Sequence, residues 1–160
     1  AQGFAEARDA LAAEFRFSAG QDSVSVSARF LTENRDQAAA LLRTALIAPR
    51  FDQAAIDRVR GQVLANIRSD AKDPNALAGR AFDAAAFGAH PYGSPGDGTE
   101  ETVSALTRDD ILAAHKGALA RDRIHVAAVG DITAEDLGLL LDRLLGDLPS
   151  TGAPLPGRAD

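Results

Sequence analysis

The sequence predicts an α+β domain, an antiparallel-rich sheet with helices packed on one face. Three observations predict it. A stretch near the N-terminus alternates apolar and polar residues at the period of a strand. Most of the remaining chain repeats apolar residues at i, i+3 and i+4, as a helix with one buried stripe does. A short apolar run, Ile124 to Val129, returns late between two helical segments. A hairpin, then clustered helices, then a returning strand is the order of an α+β sandwich and not of alternating βαβ units. Alanine, the best helix former, supplies about a fifth of the residues.

Each element has its own signal. Phe4 to Ala13 reads as a helix with Phe4, Ala7 and Leu11 on one stripe. Glu14 to Ser18 alternates around Phe15 and Phe17, Ala19-Gly20-Gln21-Asp22 suits a hairpin turn, and Ser23 to Leu31 alternates again. Val24, Val26, Ala28 and Phe30 oppose Ser23, Ser25, Ser27 and Arg29, which predicts a strand with one buried and one wet face. Thr32-Glu33-Asn34 opens a helix whose apolar face is Ala38, Leu41, Leu42, Ala45 and Leu46, and Pro49 stops it. Asp52 is the candidate N-cap of a longer helix with Ile56, Val59, Val63, Leu64 and Ile67 in its stripe. Asp73-Pro74-Asn75 starts a third, from about Asn75 to Phe87, and Gly88 to Thr99 is a Gly/Pro-rich loop. Thr107 starts another helix towards Ala120, Ile124 to Val129 predicts a strand, and Thr133 to Leu145 the last helix. From Pro149 the chain reads as a linker.

Composition narrows the function classes. A chain of 160 residues has the size of one domain, and a domain of about 150 residues buries roughly 68–70% of its unfolded surface. The net charge is −6 with no Lys/Arg cluster, against nucleic acid or anionic lipid as a partner. The absence of cysteine excludes disulfides, thiolate zinc sites and cysteine nucleophiles. No apolar run approaches the ~18 residues of a membrane span, and no basic-then-apolar leader is visible. The absence of methionine predicts a processed product or a piece of a longer chain, and three strands are few for so much helix.

Chemistry-bearing residues are sparse. His90, His115 and His125 are not four residues apart in any pair, so there is no H-E-x-x-H or H-x-x-E-H helix; each reads as structural or solvent-facing. No G-x-S-x-G elbow occurs. The glycine-rich Gly93 to Gly98 stretch lacks both a G-K-[ST] ending and a preceding strand. Glu100-Glu101 and Asp109-Asp110 suit helix starts, where carboxylates meet the positive end of the dipole. On residues alone, nothing nominates a catalytic centre.

An ordered set of blocks carries a resemblance. Leu31-Thr32-Glu33-Asn34-Arg35-Asp36, Leu41-Leu42-Arg43, Pro49-Arg50-Phe51-Asp52, Ile56-Asp57-Arg58-Val59-Arg60 and Val63-Leu64-Ala65-Asn66-Ile67 come first. Asp73-Pro74-Asn75, His90-Pro91-Tyr92-Gly93, Gly98-Thr99-Glu100-Glu101, Leu106-Thr107-Arg108-Asp109-Asp110 and Val129-Gly130-Asp131-Ile132 come after them. In order and spacing they resemble the insulinase/pitrilysin family of zinc metallopeptidases, the H-x-x-E-H (inverzincin) type.

The resemblance implies an α+β lobe from a clamshell of four such domains, in one chain or in paired subunits. Active members carry H-x-x-E-H on an early helix, two histidine ligands with the glutamate as base for zinc-bound water. A later helix adds a glutamate ligand and, two turns before it, a supporting glutamate. Here the H-x-x-E-H helix would precede Ala1, and the later helix carries Asn66 at the ligand position and Val59 at the supporting one. Seven residues is two helical turns, so both face one way. An amide oxygen replaces a charged carboxylate on zinc poorly, and valine accepts no hydrogen bond.

The resemblance therefore implies a chain without catalytic residues or metal of its own, zinc being expected in a catalytic partner or domain. It implies residues 1–148 as a partial metallopeptidase-like lobe and 149–160 as an inter-lobe linker. The vacancy fits the first lobe of a non-catalytic subunit or the second lobe of an ordinary one; the Pro-rich tail after Leu148 favours the first. The implied role is to help form a peptide-enclosing chamber with a second lobe or a catalytic subunit. The alternatives are a parent chain that is itself an active zinc metalloendopeptidase and an architectural core subunit. In active members an edge strand adds itself to the substrate backbone; the matching stretch here is Arg16, Phe17 and Ser18, without the Asn-Ala-x-Thr pattern those members show. The expected location is the periplasm or another exported site, with the cytoplasm as the alternative.

Overall fold

The hairpin forms where alternation predicts it. In the computed structural model, which describes residues 2–157, β1 (Glu14–Ala19) pairs antiparallel with β2 (Val24–Arg29). The register sets Phe15 opposite Ala28, Phe17 opposite Val26 and Ala19 opposite Val24, so the apolar residues of both strands share one face. That face is only partly covered: Phe15 and Val26 are half-buried, while Phe17 is 51% and Val24 45% exposed. The predicted division into one buried and one wet face is therefore incomplete. Phe4 covers part of the apolar face, its ring 6.2 Å from that of Phe15.

The described chain divides into two units. The first, residues 1–50 and 115–153, holds the hairpin, α1 (Gln2–Ala10), α2 (Arg35–Ile47) and the last helix of the chain. α1 stops before the predicted Ala13 because Ala12 takes a left-handed φ of 49° and Ala13 N–H turns back to the Arg8 carbonyl at 3.0 Å. Thr32 to Asn34 forms a 3-10 turn, and α2 begins only at Arg35. Asn34 does not cap α2 with its side chain; its Nδ2 donates instead to the Leu11 carbonyl at 3.0 Å.

Ala38, Ala39, Leu42 and Leu46 bury one face of α2, against the helix that closes the unit. Alanine at two of these positions lets the helices approach closely. In the same unit a 3-10 turn spans Arg121–Arg123, and the predicted strand Ile124 to Val129 belongs to no ladder among the described residues. Its composition is that of a buried strand, yet Val126 is 50% exposed and Val129 fully so. A strand is a pairing and not a local property, and among the described residues none lies beside it to accept its backbone hydrogen bonds. The described sheet accordingly has two strands.

The second unit covers residues 51–114 and 154–160, of which 158–160, the end of the predicted linker, lie outside the described residues. It contains α3 (Gln53–Asp70), α4 (Pro74–Phe87) and α5 (Glu100–Ala105). α4 starts where Asp73 accepts the Ala76 N–H at 2.9 Å, with Pro74 at the first helical position. α5 opens with a reciprocal capping box, Thr102 N–H to Thr99 Oγ1 at 3.2 Å and Thr99 N–H to Thr102 Oγ1 at 2.8 Å. The buried side chains here are Ile56 and Ile67 of α3 and Val103 of α5. α6 (Arg108–Ala118) starts in this unit, and its last turn, from His115, belongs to the first. α7 (Ala134–Leu145), the closing helix of the first unit, is capped by Thr133, whose Oγ1 accepts the Asp136 N–H at 3.1 Å.

Candidate functional site

α3 is held by arginines on one flank. Arg60 donates to Asp57 at 2.8 Å and to the Leu106 carbonyl at 2.6 Å, and Arg68 Nε donates to Glu100 Oε2 at 2.7 Å. Ile56 and Ile67 bury the inner stripe. On the other flank Ala55, Val59, Gln62 and Asn66 succeed one another at steps of four, three and four, and none carries a charge. Val59 is 46% exposed, and Gln62 and Asn66 are exposed too. Gln62 Oε1 is already met by Arg58 Nη1 at 3.5 Å.

The zinc that the resemblance implies for active relatives needs charged or imidazole donors, and the residues that the resemblance sets at the ligand and supporting positions, Asn66 and Val59, offer a neutral amide and a hydrocarbon. A divalent zinc ion takes thiolate, imidazole or carboxylate donors, and this flank supplies none. Among the described residues no group of three or more His, Cys, Asp or Glu lies close enough to hold a metal ion. The residues present do not fit catalytic zinc.

Arg16, Phe17 and Ser18 lie on β1, opposite Ser27, Val26 and Ser25. All three are exposed, and Arg16 reaches Glu14 at 3.8 Å. They belong to the first unit, whereas Val59 and Asn66 belong to the second. β1 pairs with β2 on one side, and its other edge has no strand partner among the described residues. A groove of about 460 Å³ elsewhere in the first unit runs between α2 and α7, lined by Asp36, Arg43, Asp142, Arg143 and Asp147 among others. Its two arginines are paired: Arg43 donates to the Asp147 carboxylate and the Arg143 carbonyl, and Arg143 reaches Asp36 at 3.4 Å.

The histidines differ more than sequence reasoning foresaw. Burial on α6 holds the His115 imidazole below its ordinary range, and the adjacent Lys116 charge adds to this. His125 is exposed. His90 starts a 3-10 turn at Pro91–Gly93 and caps it, its Nδ1 accepting the Tyr92 N–H at 3.2 Å. Its Nε2 lies 3.0 Å from the Gly157 carbonyl. The compact His-Pro-Tyr-Gly turn was the sequence signal for this, but a contact across 67 residues has none.

The chain is 29% identical over 146 residues to an uncharacterized zinc protease of Mycobacterium leprae, covering 91% of this chain and 33% of that protein. It is 25% identical to a non-peptidase homolog of Helicobacter pylori, covering 93% and 34%. The inactive domain of an M16 peptidase from Pseudomonas fluorescens superposes on it with a TM-score of 0.89 at 25% identity, over 99% of this chain and 39% of that one. By these likenesses the chain resembles an inactive lobe of the insulinase/pitrilysin type. The lobe spans about a third of the length of the relatives it matches. No family model matches it.

Proposed function

We propose that this lobe is a non-catalytic wall of a peptide-enclosing chamber, working beside a second metallopeptidase-like lobe or a catalytic subunit that holds the zinc. The observation that carries the reading is the uncharged flank of α3, with Asn66 and Val59 at the positions that the resemblance assigns to two glutamates of active relatives. Its kinship with an inactive peptidase domain supports it. Peptide contact is assigned to the open edge of β1 at Arg16, Phe17 and Ser18, where a substrate backbone would add as a further strand.

Zinc content of the intact parent polypeptide, purified without chelator or a metal-affinity tag, tests the first part. Near zero supports a metal-free subunit, and near one zinc per chain sinks it. Turnover of an unfolded peptide by the complete complex tests the second part. Unchanged turnover after substitution of Phe17 and Ser18 removes the β1 assignment.

A second reading has its own support in a relative named as a zinc protease. In it the parent chain is itself an active zinc metalloendopeptidase whose metal site lies in another domain. An H-x-x-E-H pattern in the parent reading frame ahead of Ala1, together with one zinc per chain, would decide for it.

A further inference from the structure

α4 is amphipathic the wrong way round. Ala76, Arg80, Asp83 and Phe87 succeed one another at steps of four, three and four, so they share one face of the helix. That face is turned to the unit: Arg80 and Asp83 are half-buried, Arg80 reaches Asp70 at 3.7 Å, and Phe87 packs edge-on to Tyr92, centroids 5.4 Å apart. Arg80 and Asp83 are also the two charged residues of the helix. The opposite face holds Leu77, Ala78, Ala81, Phe82 and Ala85, all exposed, with Leu77 48% and Phe82 69% open to solvent. A helix that ends at water shows its charges and hides its apolar stripe. α4 does the reverse, as a helix does whose outer face is covered in turn.

The course of the chain and the size of the face decide what covers it. His90, three residues beyond the end of α4, holds the Gly157 carbonyl at 3.0 Å, so the chain passes Gly157 beside the C-terminal end of this helix. About two-thirds of the length of the matched relatives lies outside the matched region. A helix of 14 residues is about 21 Å long, and a face about 10 Å across then offers roughly 200 Å². A stable complex of separate proteins buries about 800 Å² per partner. A free partner or a second copy would not stay on so small a face, whereas a tethered one needs little area because its local concentration is already high.

We infer that the Leu77–Phe82 face of α4 docks an uncharged, apolar surface of the lobe that follows in the same parent polypeptide. This rests on the reading that a second metallopeptidase-like lobe works beside this one. Burial of Leu77 and Phe82 supplies most of the apolar gain, and Ala78, Ala81 and Ala85 let the partner's backbone come near. A charge set against this face would lose its water and find no counter-charge, so the partner surface is apolar.

Cysteine labelling tests this, because the chain has no cysteine of its own. Ala81→Cys sits on the face. Gly96→Cys, on an exposed loop of the same unit, and Val103→Cys, buried in it, are the open and closed controls. Maleimide uptake at each site is followed by peptide mass spectrometry in the 160-residue chain and in the intact parent polypeptide. Ala81→Cys should label at least about tenfold more slowly in the parent, since a docked face is open no more than about a tenth of the time. Gly96→Cys should label alike in both, and Val103→Cys should stay slow in both as the mark of a folded unit. Phe82→Asp adds an uncompensated charge at an exposed position and should restore fast labelling of Ala81→Cys in the parent, with Val103→Cys still slow. Equal rates in parent and chain would overturn the docking face, as would protection that survives Phe82→Asp. So would slow labelling of the chain alone that quickens on dilution, the mark of a second copy, or that sets in only with phosphatidylcholine vesicles, the mark of a membrane. Zinc content reads the other proposal separately: near one zinc per chain with Ala81→Cys protected sinks the non-catalytic reading and leaves the docking face, and near zero with Ala81→Cys open does the opposite.

Discussion

Asn66 stands seven residues after Val59 on α3, and both are exposed on its uncharged flank. The rise of the helix separates them by about 10 Å along its axis, and neither belongs to the buried core. Restoring the carboxylates, Val59→Glu with Asn66→Glu, should therefore leave stability within about 0.5 kcal/mol, since exposed helix positions away from caps and cores tolerate substitution. The double variant should still take up no zinc, because two carboxylates alone make no complete tetrahedral site in this chain. Urea denaturation and zinc titration by calorimetry check the two halves. A variant that binds zinc with a defined stoichiometry would show donors beyond the α3 flank.

The packing of α2 against α7 predicts a sharper loss. Leu42 is 4% exposed, whereas Phe17 on β1 is 51% exposed. Leu42→Ala empties a filled core position and should cost about 2–5 kcal/mol, while Phe17→Ala should cost under about 1 kcal/mol. Arg43→Ala, which loses the exposed pairing to Asp147, should stay within about 1 kcal/mol as surface ion pairs do. Denaturant midpoints for the three variants rank them directly.

How much of this was readable from the chain differs from element to element. α2, α3, α4, α6 and α7 announced themselves by periodicity and by start signals such as Asp73 and Thr133, because those signals act within one turn, whereas six-residue α5 was hinted at only by the acidic pair Glu100-Glu101 after a stretch that reads as loop. The hairpin was readable for the same reason, its alternation being local. Ile124 to Val129 was not: its residues state what environment would suit them, and the pairing depends on a neighbour elsewhere in sequence. The position of Asn66 and Val59 on one face was likewise legible from a spacing of seven. The clasp of His90 on Gly157 was not, since a histidine in a turn looks the same whether or not a distant carbonyl meets it.

Acid should act on the start of α6 through Asp110. Its carboxylate accepts from the Thr107 hydroxyl at 2.6 Å and the Thr107 N–H at 2.8 Å, and these bonds hold the carboxyl below its ordinary range. A depressed folded-state value means this contribution is complete above the carboxyl's unfolded range and is lost as pH falls through the folded value. Thr107→Ala removes the hydroxyl donor, so the Asp110 titration followed by carbonyl ¹³C shifts should move upward towards the ordinary range. A midpoint unmoved in this variant would show that the hydroxyl bond does not set it.

Gly93 closes the turn that His90 opens, and the space there decides its identity. A Cβ at this position would meet the Gly88 carbonyl oxygen at 2.5 Å, and that oxygen is backbone. A flexible side chain could swing aside; a peptide group moves only by distorting its neighbours, and Gly88 already sits at a positive φ of 54° as the C-cap of α4. Gly93→Ala should therefore destabilise the second unit by about 1–3 kcal/mol, the usual penalty for overpacking. Gly96→Ala, with nothing within 4 Å of the added carbon, is the matched control in the same loop and should change stability by under about 0.5 kcal/mol. Hydrogen exchange at Val103 in the two variants is the measurement, since that buried residue reports opening of the unit itself. Equal protection in both would mean that the Gly88–Gly93 approach relaxes at no cost.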